Sequence, residues 1–235
     1  MTKSIPKIWA ILPAAGAGKR FSAQKPKQFF ELNGQLMAEH SLQRLLLVKS
    51  IQSIMIPCDS NIPLWLKVPS LQNPKVQMVA RGEQRANSVL NGLQAIADQA
   101  SDSDWVLVHD IARPCVTSQD INKLITAVEG HAVGGILTAS VNETLKKVDS
   151  DQQIEATLDR AQYRLAQTPQ VFKYGLLKTA IENCLQQGIT PTDEAFAMEN
   201  AGLPVLAVEG RHDNIKITRQ EDLAIASAIL NSQES

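Results

Sequence analysis

Cysteine is scarce. Cys58, Cys115 and Cys184 are the only three in 235 residues. They are odd in number, far apart and never in a C-x-x-C pair, which argues against a disulfide framework or a structural zinc site and for three ordinary reduced thiols. An excess of either charge is also missing. With 23 basic and 24 acidic residues the formal net charge is −1, a balance that speaks against a dedicated nucleic-acid or membrane-surface protein but leaves room for a locally basic pocket. No stretch approaches the ~20 consecutive apolar residues of a membrane span. The apolar core of the opening MTKSIPKIWAILPAAG is too short for a signal peptide, so a soluble cytoplasmic protein is expected. Repeats and low-complexity segments are absent, and so is a G-x-S-x-G nucleophile elbow. His109 and His212 each stand without a histidine or cysteine at ligand spacing. Neither a histidine-held metal nor a histidine base is therefore expected.

What is present is an alternation. The hydrophobic fraction of 44% suffices for a sizeable core. Apolar runs suggest strands at Ile8–Pro13, Ile51–Pro57, Val76–Ala80, Trp105–His109, Gly134–Ala139 and Val205–Val208. Several are continuous rather than alternating, as buried parallel strands are. Helical patterns lie between them at Ala38–Lys49, Arg85–Gln99, Ser118–Glu129, Tyr174–Gln187, Asp193–Asn200 and Arg219–Leu230. Ser118 and Thr192 are candidate caps, and Gly130, Gly188 and Gly202 candidate stops. The order predicts an α/β fold, a doubly wound and mostly parallel sheet with helices on both faces. Residues 1–235 read as one domain. The segment from Ser140 to Phe172 breaks the rhythm. Glu143–Val148 and Gln153–Leu158 flank the polar turn DSDQQ, which predicts a β-hairpin arm over about 140–170. An arm that cannot bury itself often packs on a second subunit.

The first strand runs into ILPAAGAGKRFSAQKPKQFF. This is not a Walker A loop: Pro13 stands where its first glycine belongs and Arg20 where its hydroxyl belongs. It is not a dinucleotide loop either, since Gly16 and Gly18 fit but Phe21 replaces the third glycine. Small residues in PAAGAG still let backbone N–H groups approach an anion, and Arg20, Lys25 and Lys27 place mobile positive charge beside them. Such a combination suits a polyphosphate. RGEQRANSVLNGL puts Gly82 before a helix with Arg85 and Ser88 in its first turn. Ser88 could equally be a capping hydroxyl. VLVHDIARP ends a strand with Asp110 and then Arg113; a carboxylate there suits a Mg²⁺ ligand or a structural cap. EGRHDNIKIT brings Lys216 into a polar turn.

Together, PAAGAGKR…KPKQ, RGEQRANSV, VLVHDIARP, TDEAFAMENAG and EGRHDNIKIT resemble the 2-C-methyl-D-erythritol 4-phosphate cytidylyltransferase family over nearly the whole chain. That resemblance implies a Rossmann-like nucleotidyltransferase fold with a protruding β-arm, a homodimer through the arm, CTP as co-substrate, Mg²⁺ and a sugar-alcohol phosphate acceptor. It implies that Pro13, Ala14, Ala15, Gly16 and Gly18 surround the CTP phosphates and cytosine. Arg20 and Lys27 match a pair that stabilises the transition state, and Gly82 and Ser88 match contacts to base and ribose. Asp110 matches the metal-binding aspartate, with Arg113 in the same stretch. Thr144, Arg160, Thr168 and Thr192 match positions that receive the sugar phosphate, with Arg160 arriving from the partner's arm and Lys216 positioning that substrate. The chain departs from the usual pattern at Arg81, where a glycine is common, and at Ile111, where an alanine is common. No proposed charged group is lost by these departures. The alternatives are a ribitol-5-phosphate cytidylyltransferase, which would share the loop and Asp110, and a non-catalytic nucleotide-binding protein on the same fold.

Overall fold

A strand buried on both faces serves two cores at once, and β1 (Ile8–Ile11) does so residue by residue. Ile8 and Ala10, with Leu12 just beyond, enter one apolar cluster, while Trp9 and Ile11 enter another. This is the period of two that a strand imposes. The computed structural model describes residues 6–14, 21 and 25–234. In it β1 pairs in parallel with β4 (Ile51–Cys58) and β6 (Trp105–Val108), and β4 pairs in parallel with β5 (Val76–Ala80). β7 (Gly134–Ser140) pairs in parallel with β11 (Leu206–Glu209). The seven strands run in the order β11-β7-β10-β6-β1-β4-β5, where β10 (Arg164–Lys173) is antiparallel to both its neighbours.

Helices cover both faces. α1 (Met37–Leu46) and α3 (Ser118–Val128) share the cluster of Ile8 and Ala10. α2 (Arg85–Ala95), α4 (Tyr174–Gln186) and α5 (Glu194–Asn200) share that of Trp9 and Ile11. α6 (Asp222–Glu234) closes a third cluster with Leu32, Met37 and Ile217. The doubly wound, mostly parallel architecture expected from the alternation is therefore the observed one. Gly188 and Gly202 stop α4 and α5 with φ of +72° and +70°, the left-handed turn that favours glycine. The caps sit one residue away from their expected places. Thr117 rather than Ser118 caps α3 through Asp120 N–H, and Asp193 rather than Thr192 caps α5 through Phe196 N–H.

Two features escape the periodicity. β2 (Glu31–Leu32) and β3 (Gln35–Leu36) form a minimal hairpin around Asn33 and Gly34, both at positive φ; the Asn-Gly pair is its signal. The larger correction concerns the arm. The hairpin itself, β8 (Leu145–Val148) with β9 (Ile154–Leu158), stands where the sequence places it. The segment from Arg164 onward does not belong to it, because it returns as the central strand β10. Pro169 and the polar run Gln167, Thr168 and Gln170 disguise that strand. The register of β10 against β7 shifts between Ala166 and Gln170, the kind of irregularity that admits a proline and re-aims side chains.

The chain leaves β1 toward β4 and β5 on one side and comes back to β6 on the other. Beyond the carboxyl ends of β1 and β6 a crevice must open, and that is where open α/β sheets bind ligands. Among the described residues no helix is long and apolar enough to cross a membrane.

Candidate active site

β6 ends at Val108 and delivers Asp110 to the mouth of the crevice. Two cations hold its carboxylate. Arg85, at the start of α2, donates from Nε and Nη2 to Oδ1 at 3.2 and 3.1 Å. Lys216 Nζ lies 2.7 Å from Oδ2. Burial alone would raise the Asp110 pKa, but the charges of Arg85 and Lys216 outweigh it and hold the group well below the usual carboxylate range. Arg85 also grips Glu194, at the start of α5, with Nη1–Oε1 at 2.6 Å and Nη2–Oε2 at 3.0 Å. Burial works against its charge, yet the two carboxylates push its pKa further up. The carboxylates lie deeper than their partners: side-chain exposure is 12% for Asp110 and 2% for Glu194, against 29% for Arg85 and 42% for Lys216. The groups facing solvent are thus cationic, as an anionic ligand requires.

Beneath Asp110 lies a directed relay. The Asp110 N–H donates to Thr168 Oγ1 at 3.0 Å, and Oγ1 is 3.1 Å from His109 Nδ1. His109 Nε2 faces the Arg113 carbonyl at 3.1 Å. A carbonyl only accepts, so Nε2 carries the proton and Nδ1 accepts from the Thr168 hydroxyl. His109 is fully buried, and burial pushes its pKa down to about 4 against the pull of these hydrogen bonds. It is neutral, with both nitrogens occupied. Arg113 donates to the carbonyls of Asn214 at 2.6 Å and Ala166 at 3.3 Å. Burial lowers its pKa and Asp110 partly offsets this. Asn214 Nδ2 in turn donates to the Thr168 carbonyl at 2.9 Å. Among the described residues, buried Arg113 Nε and Asn214 Oδ1 have no hydrogen-bond partner. Arg113 also lines a cavity, and an orphaned polar atom there is what an entering polar ligand or water completes. The cavity, about 140 Å³, is lined by Arg85, Asp110, Arg113, Thr168, Thr192 and Lys216 among others.

The base of the glycine loop is laced to the same place. Lys27 opens a short turn, Lys27–Phe29, and Nζ donates to the Ile217 carbonyl at 3.1 Å. The Ile217 N–H donates to the Ala112 carbonyl at 2.8 Å. Lys27, the Asp110–Arg113 segment and Lys216 are therefore neighbours through one side-chain and one backbone hydrogen bond. Ala14 is committed to the scaffold: its N–H donates to the Pro57 carbonyl at 2.9 Å and its carbonyl accepts from Gln28 Nε2 at 2.9 Å. That N–H is spent and is not a donor for phosphate, contrary to the expectation of an anion-binding run starting at Ala14. Ala15, Gly16, Gly18 and Arg20 lie outside the described residues.

Ser88 is completely buried. Its hydroxyl accepts from Gly82 N–H and donates to the Gln84 carbonyl, both at 3.0 Å. A Cβ on Gly82 would stand 2.3 Å from Asn87 Cβ and 2.7 Å from the Ser88 nitrogen, so only glycine lets this loop close on α2. Ser88 shapes that loop, and its hydroxyl has no capacity in this arrangement to donate to a ribose. Thr144 and Arg160 are exposed on the arm, where Arg160 donates to the Asn142 carbonyl, and neither lines the cavity around Asp110. The sequence reading missed Glu194 and left Arg85 without a role. The signal was present: both carry opposite charge in the first turn of a helix, and both lie in motifs already singled out.

Comparison with known proteins gives this arrangement a context. The model of one family, IspD: 2-C-methyl-D-erythritol 4-phosphate cytidylyltransferase, matches residues 8–232. A protein of that name from Pseudomonas putida strain GB-1 is 43% identical over 224 residues, covering 95% of each chain. One from Vibrio atlanticus is 43% identical over 234 residues, covering all of both chains. The crystal structure of the Francisella tularensis protein of that name superposes with a TM-score of 0.79 at 34% identity, over 95% of this chain and 99% of that one.

Proposed function

The chain belongs to the 2-C-methyl-D-erythritol 4-phosphate cytidylyltransferase family, and on that premise we propose that the crevice around Asp110 is where it moves CMP from CTP to 2-C-methyl-D-erythritol 4-phosphate. The products are 4-diphosphocytidyl-2-C-methyl-D-erythritol and pyrophosphate, in the non-mevalonate isoprenoid pathway. The observation that carries the site assignment is the sunken Asp110 held between Arg85 and Lys216 at the switch point of the sheet.

The reaction is attack by an acceptor phosphate oxygen on the α-phosphorus of CTP with loss of pyrophosphate. A phosphate monoester is already anionic at neutral pH and needs no general base. His109, neutral with both nitrogens engaged, accords with that. The barrier is electrostatic, since two anions must meet and charge grows on the leaving group. Positioning and charge neutralisation are the work of the site. Lys27, with Arg20, would take the α-phosphate and the departing pyrophosphate. The loop Pro13–Gly18 would cradle the triphosphate through its amides beyond Ala14, whose own N–H is spent on Pro57, and the loop that Gly82 and Ser88 shape would seat the nucleoside. Lys216, Arg113 and Thr192 would face the sugar phosphate, with Thr168 lining the same cavity while its hydroxyl serves Asp110 and His109. Thr144 and Arg160 belong to the arm, whose Val148, Ile154 and Tyr163 are exposed, as is Leu165 at the start of β10. Apolar side chains in that position suit a homodimer in which Arg160 serves the partner's crevice.

Mg²⁺ can be tested against Asp110. Oδ1 is filled by two N–H groups of Arg85, whereas Oδ2 takes one from Lys216 and keeps a lone pair. One carboxylate oxygen, nucleotide phosphates and water form an ordinary Mg²⁺ donor set, so the residues fit. The described residues hold no cluster of three histidine, cysteine or acidic side chains, which suits an ion that arrives with the nucleotide. When bound, the ion supplies charge neutralisation at phosphate oxygens.

The test is pyrophosphate release from each of the four ribonucleoside triphosphates, with methylerythritol phosphate and ribitol 5-phosphate as separate acceptors. Release from CTP with methylerythritol phosphate alone is expected. Preference for ribitol 5-phosphate, or no release with either, refutes the reading.

A further inference from the structure

Arg85 and Glu194 have no place in the chemistry above, yet they form the most deeply set ion pair of the crevice. Glu194 is 2% exposed and both its oxygens are spent on Arg85. A buried pair adds little to stability by itself, so its geometry calls for another reason. The guanidinium fork lies between two carboxylates. Its Nη1 and Nη2 edge takes both oxygens of Glu194. Its Nε and Nη2 edge sends two N–H groups to a single oxygen, Oδ1 of Asp110. That contact is asymmetric. A fork matched to both Asp110 oxygens would take a lone pair from each; this one spends both its N–H groups on Oδ1 and leaves Oδ2, among the described residues, to Lys216 alone. The Asp110 backbone is pinned separately by Thr168, so the side-chain orientation is set by the fork on Oδ1 together with the single contact of Lys216 on Oδ2.

We propose that Arg85, locked by Glu194, is a positioning residue that turns Asp110 so that Oδ2 alone faces the cation carried by the nucleotide. The inference rests on the reading of Asp110 as that cation's ligand. Glu194 acts only through Arg85. Lysine in place of Arg85 would supply the charge without the planar fork, and would not reproduce the arrangement.

The test uses the full chain, with Mn²⁺ and CTP as the probe. Free Mn²⁺ is read by electron paramagnetic resonance, and folding by thermal melting. Arg85→Gln is expected to weaken Mn²⁺–CTP binding by about 10–100-fold, the usual cost of removing the group that orients a metal ligand. It also strands the buried charge of Glu194 and lowers the melting temperature. The double variant Arg85→Gln/Glu194→Gln removes both charges. It is expected to recover the melting temperature of Arg85→Gln's parent without recovering Mn²⁺–CTP affinity. A purely structural pair would recover both together, and that outcome overturns the proposal. So does a double variant that binds Mn²⁺–CTP like the parent. Glu194→Gln should weaken binding in the parent and have no further effect on binding in Arg85→Gln; additive losses would contradict action through Arg85. Asp110→Asn separates the two levels of the argument. If it leaves Mn²⁺–CTP binding unchanged, Asp110 is not the ligand and both readings fall. If it abolishes binding while Arg85→Gln leaves binding unchanged, only the positioning role falls.

Discussion

Replacing Thr168 with valine keeps the shape of a buried side chain and deletes one hydroxyl. Thr168 is 4% exposed, and that hydroxyl accepts from Asp110 N–H and donates to His109 Nδ1. The variant therefore leaves a donor and an acceptor unpaired in a dry place. Each orphaned buried group costs about 1–3 kcal/mol. The added methyl returns roughly 0.8 kcal/mol of burial. A net loss of about 3 kcal/mol follows, which for a chain of 150–250 residues lowers the melting temperature by roughly 6–12 °C. Thr168→Ser keeps the hydroxyl and loses one methyl, so its loss should be only ~1 kcal/mol, or a few degrees. Thermal melts of the three proteins in one buffer make the comparison. The reasoning is refuted if Thr168→Val melts within about 2 °C of the parent. It is also refuted if serine and valine destabilise equally. The same pair separates the two roles open to Thr168. A residue that only contacts substrate would weaken use of the sugar phosphate as valine and leave the melt unchanged.

Lys27→Ala should lower kcat by about 10²–10³, the usual cost of one preorganised donor to a developing charge; steady-state pyrophosphate release at saturating substrates measures it, and an unchanged kcat removes Lys27 from the chemistry. His109 gives a pH dependence. Its pKa falls from 6.5 to about 4 on folding, so between those values the unfolded chain binds the extra proton and stability rises with pH. The contribution, ~3 kcal/mol, is complete above the unfolded value and is lost as pH falls toward 4. Denaturant titrations across that range should show a slope that His109→Gln flattens, and an equally steep variant would contradict the assignment. The depressed pKa of Asp110 acts with the same sign at lower pH, where its protonation removes the ion pairs with Arg85 and Lys216.

The parallel strands were legible because each is a short apolar run serving two cores, as Trp9 and Ala10 do on opposite faces. β10 was not legible, and the reason is functional. Gln167, Thr168 and Gln170 are buried polar residues that spend their hydrogen bonds on Arg211, Asp110, His109, Asp193 and Ala195. A strand that builds a site carries the polarity of a loop. Asp110, Arg113 and Lys216 were legible as charged residues at strand ends and turns, and the structure brings them together. Glu194 was hidden because a buried carboxylate shows itself only once its cation is in view. For Ser88 a ligand contact and a capping hydroxyl stood side by side, because a sequence cannot tell a hydroxyl facing a pocket from one folded into its own loop.

The position of β6 also dictates when the crevice can come into being. Its two flanking strands lie far before and far after it in the chain: Ile8 of β1 lies beside Trp105, and Gln170 of β10 lies beside Val108. Lys216, which completes the hold on Asp110, follows later still. A chain emerging from the ribosome can assemble β1, β4 and β5 early, because their pairings are nearer in sequence. No nascent chain shorter than residue 216 carries the assembled crevice. A nucleotide bound across β1, β6 and β10 would then tie together segments that meet last, so the substrate would favour completion of the very fold that receives it.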